Sequence, residues 1–330
     1  MNVHESPVQD VGPKGLVLVR TTFSAISAGT ELLVYKGEIP SNLPLDVNFG
    51  EHKGEFQYPT KYGYSVVGEI IAVGDGVSVT MAGSKVFSFH SHEGFFWEDP
   101  DNLLFIPDDI DEKDALFLPN METAVNFVMD GAPIIGENIA VLGQGIVGLL
   151  TTSILNLLPL NLLITFDNQE SRREASLAAG AFASFDPSDT KSIVDLDYGM
   201  YDGFDLTYEV SGNEIALDTA VQMTGYNGRV IVGSWYGVNK NTLDLGGTFH
   251  RNRIRMISSQ VSSIDPIFQG RWTKDRRFSV VWDMIRKINP SKFISHEYSI
   301  SEASVVYRKL YEEPGKFLQV IFEYGEGSDY

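Results

Sequence analysis

Hydrophobic positions along this chain fall into two textures, and the change between them lies near residue 119. Before it, the runs "GLVLVRTTFSAIS" (15 to 27), "YSVVGEIIAVG" (64 to 74), "GSKVFSF" (83 to 89) and "NLLFIPDDI" (102 to 110) are strand-like and are cut by glycine and proline, as in a small barrel. After it, apolar runs alternate with helical segments. "NIAVLG" (138 to 143), "LLITF" (162 to 166), "GFDLTYEVSG" (203 to 212), "GRVIVGSWYG" (228 to 237) and "RIRMISSQV" (253 to 261) read as strands, with "SRREASLAAGA" (171 to 181) and "NEIALDTAVQMT" (213 to 224) as helices. Repeated βα units over 119 to 263 predict a doubly wound α/β sheet that takes its ligand at the carboxyl ends of the strands.

One stretch imitates a membrane span. "IVGLLTTSILNLLPLNLLITF" (146 to 166) is about as long and apolar as the roughly 20 residues a bilayer needs. Pro159 and Asn161 divide it, however, into a helix and a short buried strand.

Between two of these runs lie Gly143, Gln144, Gly145, Ile146, Val147 and Gly148, a G-x-G-x-x-G spacing. With 31 glycines in 330 residues the spacing alone is weak evidence. Its context strengthens it: a strand precedes it, a helix follows, and a second strand ends at Asp167, 19 residues after Gly148. That is close to the offset of ~20 at which an acid binds the adenosine ribose. Gly143 serves the tight turn, Gly145 the close approach of a pyrophosphate and Gly148 the packing of helix on strand, with the helix amino terminus facing the phosphates. Ser211, Gly212, Gly233 and Ser234 end later strands and complete the candidate cofactor contacts. A flavodoxin-like or purely structural βαβ unit is the alternative.

Composition narrows the function classes. A chain of 330 residues exceeds what one core usually serves, so two domains are expected. A formal charge of −19 provides no general attraction to nucleic acid or anionic membrane. With no cysteine, any metal must be held by histidine and carboxylate. The opening "MNVHESPVQDVG" lacks a signal-peptide layout, so a cytoplasmic location is expected.

"AISAGTELLVYKG" (25 to 37), "GYSVVGEIIAVG" (63 to 74) and the glycine fingerprint resemble the medium-chain dehydrogenase/reductase superfamily over nearly the whole chain. The resemblance implies a GroES-like β-barrel catalytic domain from 1 to 118 and 264 to 330, with a Rossmann domain from 119 to 263 inserted, and a homodimer joined through edge strands of the cofactor domain. "ISAGTE", "GYSVVG", "METAVN", "SWYG" and "SSQVSSI" are similar to a zinc-free branch related to bacteriochlorophyllide dehydrogenase, whose substrates do not carry over. At the superfamily's zinc-ligand positions stand Ala28, Tyr64 and Pro119, with Ser65 for the neighbouring glutamate, so no zinc is expected. His90 and His92, spaced for one strand face, leave open an ion held with Glu93 or a distant acid.

Without a Lewis acid, a carbonyl oxygen must be stabilised and protonated by side chains. Thr30 matches a hydroxyl of the superfamily's proton relay, and Tyr64 puts a phenol where a zinc ligand would sit. His92 is an acid/base or packing residue. Glu122 is a carboxamide or substrate contact, or a helix-start acid, and Thr123 matches a residue beside the nicotinamide. Glu31 is expected to brace its loop. The basic segment Arg271, Lys274, Arg276 and Arg277 reads as a solvated helix face or as a contact for an anionic substrate or a subunit.

Asp167 favours NAD(H) over NADP(H), because its charge repels a 2′-phosphate, while Arg172 and Arg173 argue the other way. Three functions remain on this reading. They are a zinc-independent NAD(H) oxidoreductase acting on a secondary alcohol or ketone of unknown identity, an enone or quinone reductase, and a cofactor-binding protein without turnover.

Overall fold

The computed structural model describes residues 2–5, 12–39, 58–189 and 203–325. In chain order the strands there are β1 (Val17–Ile26), β2 (Val66–Val73), β3 (Lys85–Ser88), β4 (Phe95–Glu98), β5 (Leu104–Phe105), β6 (Asn138–Leu142), β7 (Leu162–Phe166), β8 (Ala183–Phe185), β9 (Phe204–Glu209), β10 (Thr224–Val232), β11 (Arg255–Ser258), β12 (Ile294–Ser299) and β13 (Gln319–Glu323). The chain divides into two compact units, Met1–Pro119 with Asn289–Tyr330, and Asn120–Ile288.

The first unit is built around β1. Residues 17 to 20 of β1 pair with β4, residues 23 to 26 pair with β13, and its other edge pairs with β2, all antiparallel. The sheet runs β12-β13-β1-β2-β3-β5, with β4 off this path. Val17 and Val19, two apart on β1, face the same way as Ile70, Val86 and Phe96 and form one core with them. β1 and β2 approach so closely that a Cβ on Gly68 would lie 2.2 Å from the carbonyl oxygen of Arg20. Among the described residues the pairings form a path of six strands with one branch, the second sheet domain that the strand-like runs predict. The run 102 to 110 contributes only Leu104–Phe105 to the sheet, since Pro107 lacks a ladder donor and turns the chain away.

The second unit is a six-stranded parallel sheet in the order β11-β10-β9-β6-β7-β8. Both faces are covered, which explains why its strands read as unbroken apolar runs. On β6, Ile139 and Val141 join the core with Phe127, Leu206 and Ile231, whereas Ala140 and Leu142 point the other way, toward Ile164, Phe204 and Val230. The apolar stretch 146 to 166 resolves into the helix Ile146–Leu155 and β7. No helix among the described residues is long and apolar enough to cross a membrane.

Several boundaries differ from expectation. β10 begins at Thr224, directly after the helix Glu214–Met223, and ends at Val232, because the next residues leave the sheet with Trp235 and Val238 exposed. The helix expected over 171 to 181 spans Glu170–Ala178, and β8 follows it, a three-residue edge strand too short to carry a hydrophobic signature. The domain boundary expected at 263 moves to Ile288. The helix Lys274–Ile288 buries Arg277, Val281, Ile285 and Ile288, and Arg277 bonds back to Asn126 and Val261 within the same unit.

Candidate functional site

The glycine turn sits where the strand order reverses, between β6 and β9, the place where open α/β sheets bind ligands. Gly143 has φ +96°, a left-handed conformation, and a Cβ there would meet Ser211 Cα at 2.6 Å. A Cβ on Gly148 would lie 1.9 Å from the Gly143 carbonyl oxygen, so only glycine lets the helix start this close to the turn. Around Gly145, by contrast, a Cβ would meet no atom within 4 Å. Gly145, Ile146 and Val147 are partly exposed, while Gly143, Gln144 and Gly148 are buried. Open space above an uncapped helix amino terminus fits a pyrophosphate, and the nucleotide's phosphates would be held there by the turn.

The side chain of Gln144 is not available to a nucleotide. It is fully buried, its amide donating to the carbonyls of Val141 and Gly143 and its oxygen accepting from Thr152. The backbone N–H of Gln144 donates to Asp167 Oδ2 at 2.7 Å, and that of Gln169 donates to Oδ1 at 2.9 Å. Asp167 is thus fixed beside the fingerprint, with acceptor capacity left on both oxygens. Arg172 stands 3.9 Å from Asp167 Oδ2, while Arg173 donates to the Asp167 carbonyl and faces Asp186 at 3.6 Å. Both arginines, partly exposed, thus lie beside Asp167.

Sequence reasoning missed the acid on the opposite side of β6. Glu209, the last residue of β9, is fully buried and pairs in register with Leu142. Its Oε1 accepts from the N–H and hydroxyl of Ser211 at 2.7 and 2.6 Å, and its Oε2 accepts from the Tyr236 phenol at 2.5 Å. Burial and this carboxylate push the Tyr236 phenol well above its ordinary pKa, keeping it a donor. Ser234 accepts from Gly212 N–H at 2.8 Å, and Gly233 N–H donates to the Glu209 carbonyl at 2.9 Å. Of the four strand-end residues of the sequence reading, Ser211 holds the buried carboxylate, Gly233 and Ser234 bond to the Glu209 backbone carbonyl, and Gly212 bonds to Ser234. A charged residue inside an apolar strand was the available signal.

Glu122 and Arg277 depart from their expected roles. Glu122 lies inside the helix Leu118–Gly131, buried, and its Oε1 accepts from Arg277 Nη2 at 2.6 Å. Arg277 is neither solvated nor offered to a substrate. It also donates to Asn126 Oδ1 at 2.7 Å and to the Val261 carbonyl at 2.6 Å. Arg276, in contrast, is exposed and stacks over Trp272 at 4.3 Å. Arg271 and Lys274 are exposed too, and half-buried Thr123 follows Glu122 on its helix.

In the first unit Tyr64 donates to Ser27 Oγ and reaches Thr30 Oγ1 at 3.5 Å, three partly exposed hydroxyls together. Ser27 occupies the N-cap of the helix Ala28–Lys36 yet makes no capping bond with its side chain. His92 lies behind them with both ring nitrogens engaged, Nδ1 with Ser24 Oγ at 2.7 Å and Nε2 with Glu31 Oε2 at 3.0 Å. Glu31 is buried and accepts also from Ser27 N–H at 2.7 Å and from Tyr307. It braces the loop as expected, and it anchors His92 as well. Burial and the Glu31 charge raise the Tyr307 phenol far above its usual pKa.

The residues at the expected metal-ligand positions do not fit zinc. Ala28 and Pro119 carry no side-chain donor, Tyr64 is bonded to Ser27, and Ser65 donates to the Leu116 carbonyl at 2.7 Å. His90 and His92 do not share a strand face. They lie between β3 and β4, where buried His90 stacks on Phe96 at 3.8 Å. No group of three or more histidines and acids among the described residues could hold a metal ion.

Comparison with known proteins agrees with this architecture. The zinc-binding dehydrogenase family matches residues 147–279. An L-threonine 3-dehydrogenase from Anaeromyxobacter sp. (strain Fw109-5) is 26% identical over 344 residues, covering 88% of this chain and 94% of its own. A short chain alcohol dehydrogenase from E. coli CFT073, complexed with NADH, superposes with a TM-score of 0.74 at 18% identity, covering 96% of this chain and 94% of its own. A Sinorhizobium meliloti 1021 protein bound to NADP gives a TM-score of 0.76 at 18% identity, covering 98% and 96%. The family match thus covers part of the second unit and the curated relative stands at 26% identity, and the fold is that of these dehydrogenase structures.

Proposed function

We propose that this chain is a zinc-independent oxidoreductase that moves hydride between NAD(H) and a secondary alcohol or its ketone. The observation that carries this reading is a hydroxyl cluster in which Tyr64, at one of the positions where the resembled superfamily keeps its metal, bonds to Ser27 and Thr30, in a chain that also carries the fingerprint turn with Asp167. The name of the curated relative points to the same reaction class.

Nicotinamide, when bound, supplies or accepts the hydride. Tyr64 and Thr30 donate hydrogen bonds to the oxygen on which charge develops, and Tyr64 transfers its proton to that oxygen, replacing it from solvent. His92 does not reach substrate in this scheme, since both its nitrogens are committed, and it fixes Glu31 and the Ser27 turn instead. Ala28, Tyr64, Ser65 and Pro119 support independence from zinc, and a homodimer through edge strands of the cofactor domain belongs to the same reading.

The test is a turnover screen followed by nicotinamide absorbance, with ketones, secondary alcohols, enones and quinones offered in the presence of a chelator. Chelator-resistant reduction of a ketone is expected. Reduction of enones alone would move the chain to the enone reductases, and tight cofactor binding without turnover would make it a sensor. Stoichiometric zinc whose removal abolishes activity would overturn the proposal, and a monomeric mass by light scattering would remove the dimer.

A further inference from the structure

We propose that Glu209 selects the redox state of the cofactor, its buried negative charge favouring the cationic oxidised nicotinamide over the neutral reduced one. This rests on the nicotinamide-dinucleotide reading above and adds to it a preference between the two forms of one nucleotide.

The argument begins with topology. The sheet consists of two halves that meet between β6 and β9, and each half of such a fold takes one mononucleotide of the pair. Asp167 follows β7 and marks the adenosine half. The nicotinamide half is therefore β9-β10-β11, and its first strand ends at Glu209, in register with Leu142 immediately before the fingerprint. An acid at that place stands at the carboxyl edge of the sheet, where the second mononucleotide of a dinucleotide begins.

Charge follows from the contacts. Glu209 is fully buried, and its partners, Ser211 N–H, Ser211 Oγ and Tyr236 OH, are neutral donors. No arginine or lysine pairs with it among the described residues, unlike Glu122 and Glu137 of the same unit, which hold Arg277 and Arg229. A carboxylate bonded only to neutral donors and not neutralised by a cation projects its field further than a paired one, and burial strengthens that field. The ring of the oxidised cofactor carries a positive charge that the reduced ring lacks. Selection thus comes from a charge difference that the turn's own phosphate contacts, common to both forms, do not distinguish.

Calorimetric titration of the purified protein with NAD+ and with NADH tests this. For the unmodified protein NAD+ is expected to bind at least as tightly as NADH. Glu209→Gln keeps the shape and removes the charge, so it is expected to weaken NAD+ binding about tenfold and change NADH binding less than twofold. Tyr236→Phe removes a donor but leaves the charge, and the preference for NAD+ is expected to persist. Equal losses for both forms in Glu209→Gln would make Glu209 a structural residue only and overturn the proposal. Should that variant fail to fold, NADH binding more than tenfold tighter than NAD+ to the unmodified protein overturns it equally. Binding of neither nucleotide by the unmodified protein would instead overturn the dinucleotide reading itself.

Discussion

Arg277 and Glu122 meet at 2.6 Å with both side chains almost wholly shielded from water, which makes the pair a lock inside the second unit. Arg277 also holds the carbonyls of Val261 and Ser263, so one guanidinium ties the start of its helix to the loop after β11 and to the helix Leu118–Gly131. Removing one member strands the other. Glu122→Gln and Arg277→Met are each expected to cost about 3 to 5 kcal/mol, and the double variant less than the sum of the two. Denaturant midpoints measure this. Two single variants within about 0.5 kcal/mol of the parent would show that the pair is not a lock.

The last and the middle fingerprint glycine, Gly148 and Gly145, carry different burdens and separate in experiment. Gly148→Ala forces a methyl against the Gly143 carbonyl oxygen at 1.9 Å, so it is expected to lower the melting temperature and abolish nucleotide binding together. Gly145 has an ordinary backbone, φ −66°, and empty space where a Cβ would go. Gly145→Ala is therefore expected to fold with an unchanged melting temperature and to bind NADH at least tenfold more weakly, since the methyl occupies the pyrophosphate's room. Undiminished NADH affinity in that variant would move the phosphates elsewhere.

The sequence made the second unit legible because its signals are local. Apolar runs with both faces covered, a turn needing glycine at Gly143 and an acid after the next strand are all patterns within about thirty residues. What it concealed depends on contacts between distant positions. Arg277 reads as one of four exposed cations until its helix is docked, and Gln144 reads as part of a ligand turn until its amide is seen turned inward to Val141 and Gly143. Glu31 and His92 lie 61 positions apart, and no periodicity brings a histidine onto a buried acid at that distance. Ser27 was hidden differently. An N-cap serine is ordinary, and only the diversion of its hydroxyl to Tyr64 sets it apart.

Buried phenols, Tyr307 and Tyr324 among them, lower stability at alkaline pH. Tyr307 and Tyr324 are both raised above 10, chiefly by burial and also by the charge of Glu31. The sign follows from proton counting. Above pH 10 the unfolded chain releases these protons while the folded chain keeps them, so the folded state binds more protons and stability falls as pH rises. Stability is expected to be flat with respect to these groups below pH 10 and to drop by about 1.4 kcal/mol per pH unit for each tyrosine above it. Tyr307→Phe should make the alkaline slope shallower. An unchanged slope in that variant, from urea titrations at several pH values, would contradict the assignment.

Tyr64 and His92 are expected to fail in different ways. Tyr64→Phe removes the exposed donor without disturbing the buried acid behind it, so kcat should fall about 100-fold with KM and melting temperature nearly constant. His92→Ala strips Glu31 of its ring partner inside the protein, and the expected result is a loss of stability with less than a tenfold change in kcat. The reverse pattern, with His92→Ala inactive but stable and Tyr64→Phe fully active, would transfer the proton to the histidine.

Cofactor choice turns on whether Asp167 or Arg172 dominates. Asp167 is held by two backbone N–H groups at the end of β7; on the proposed reading its fixed negative charge would stand beside the adenosine ribose and would repel the 2′-phosphate of NADP. Arg172, 3.9 Å away, partly offsets that charge. The offset is incomplete, because a contact of that length through a partly exposed guanidinium is screened, whereas Asp167 is buried and cannot withdraw. A preference for NAD(H) of at least tenfold is expected, on the order of 1.4 kcal/mol. Asp167→Ser removes the repulsion and at the same time frees Arg172, so it should erase or invert the preference, while Arg172→Ala should widen it. Calorimetry with NADH and NADPH on the three proteins decides the matter. Equal or tighter NADPH binding by the unmodified chain would assign the ribose site to Arg172 and make Asp167 a structural residue of the fingerprint turn.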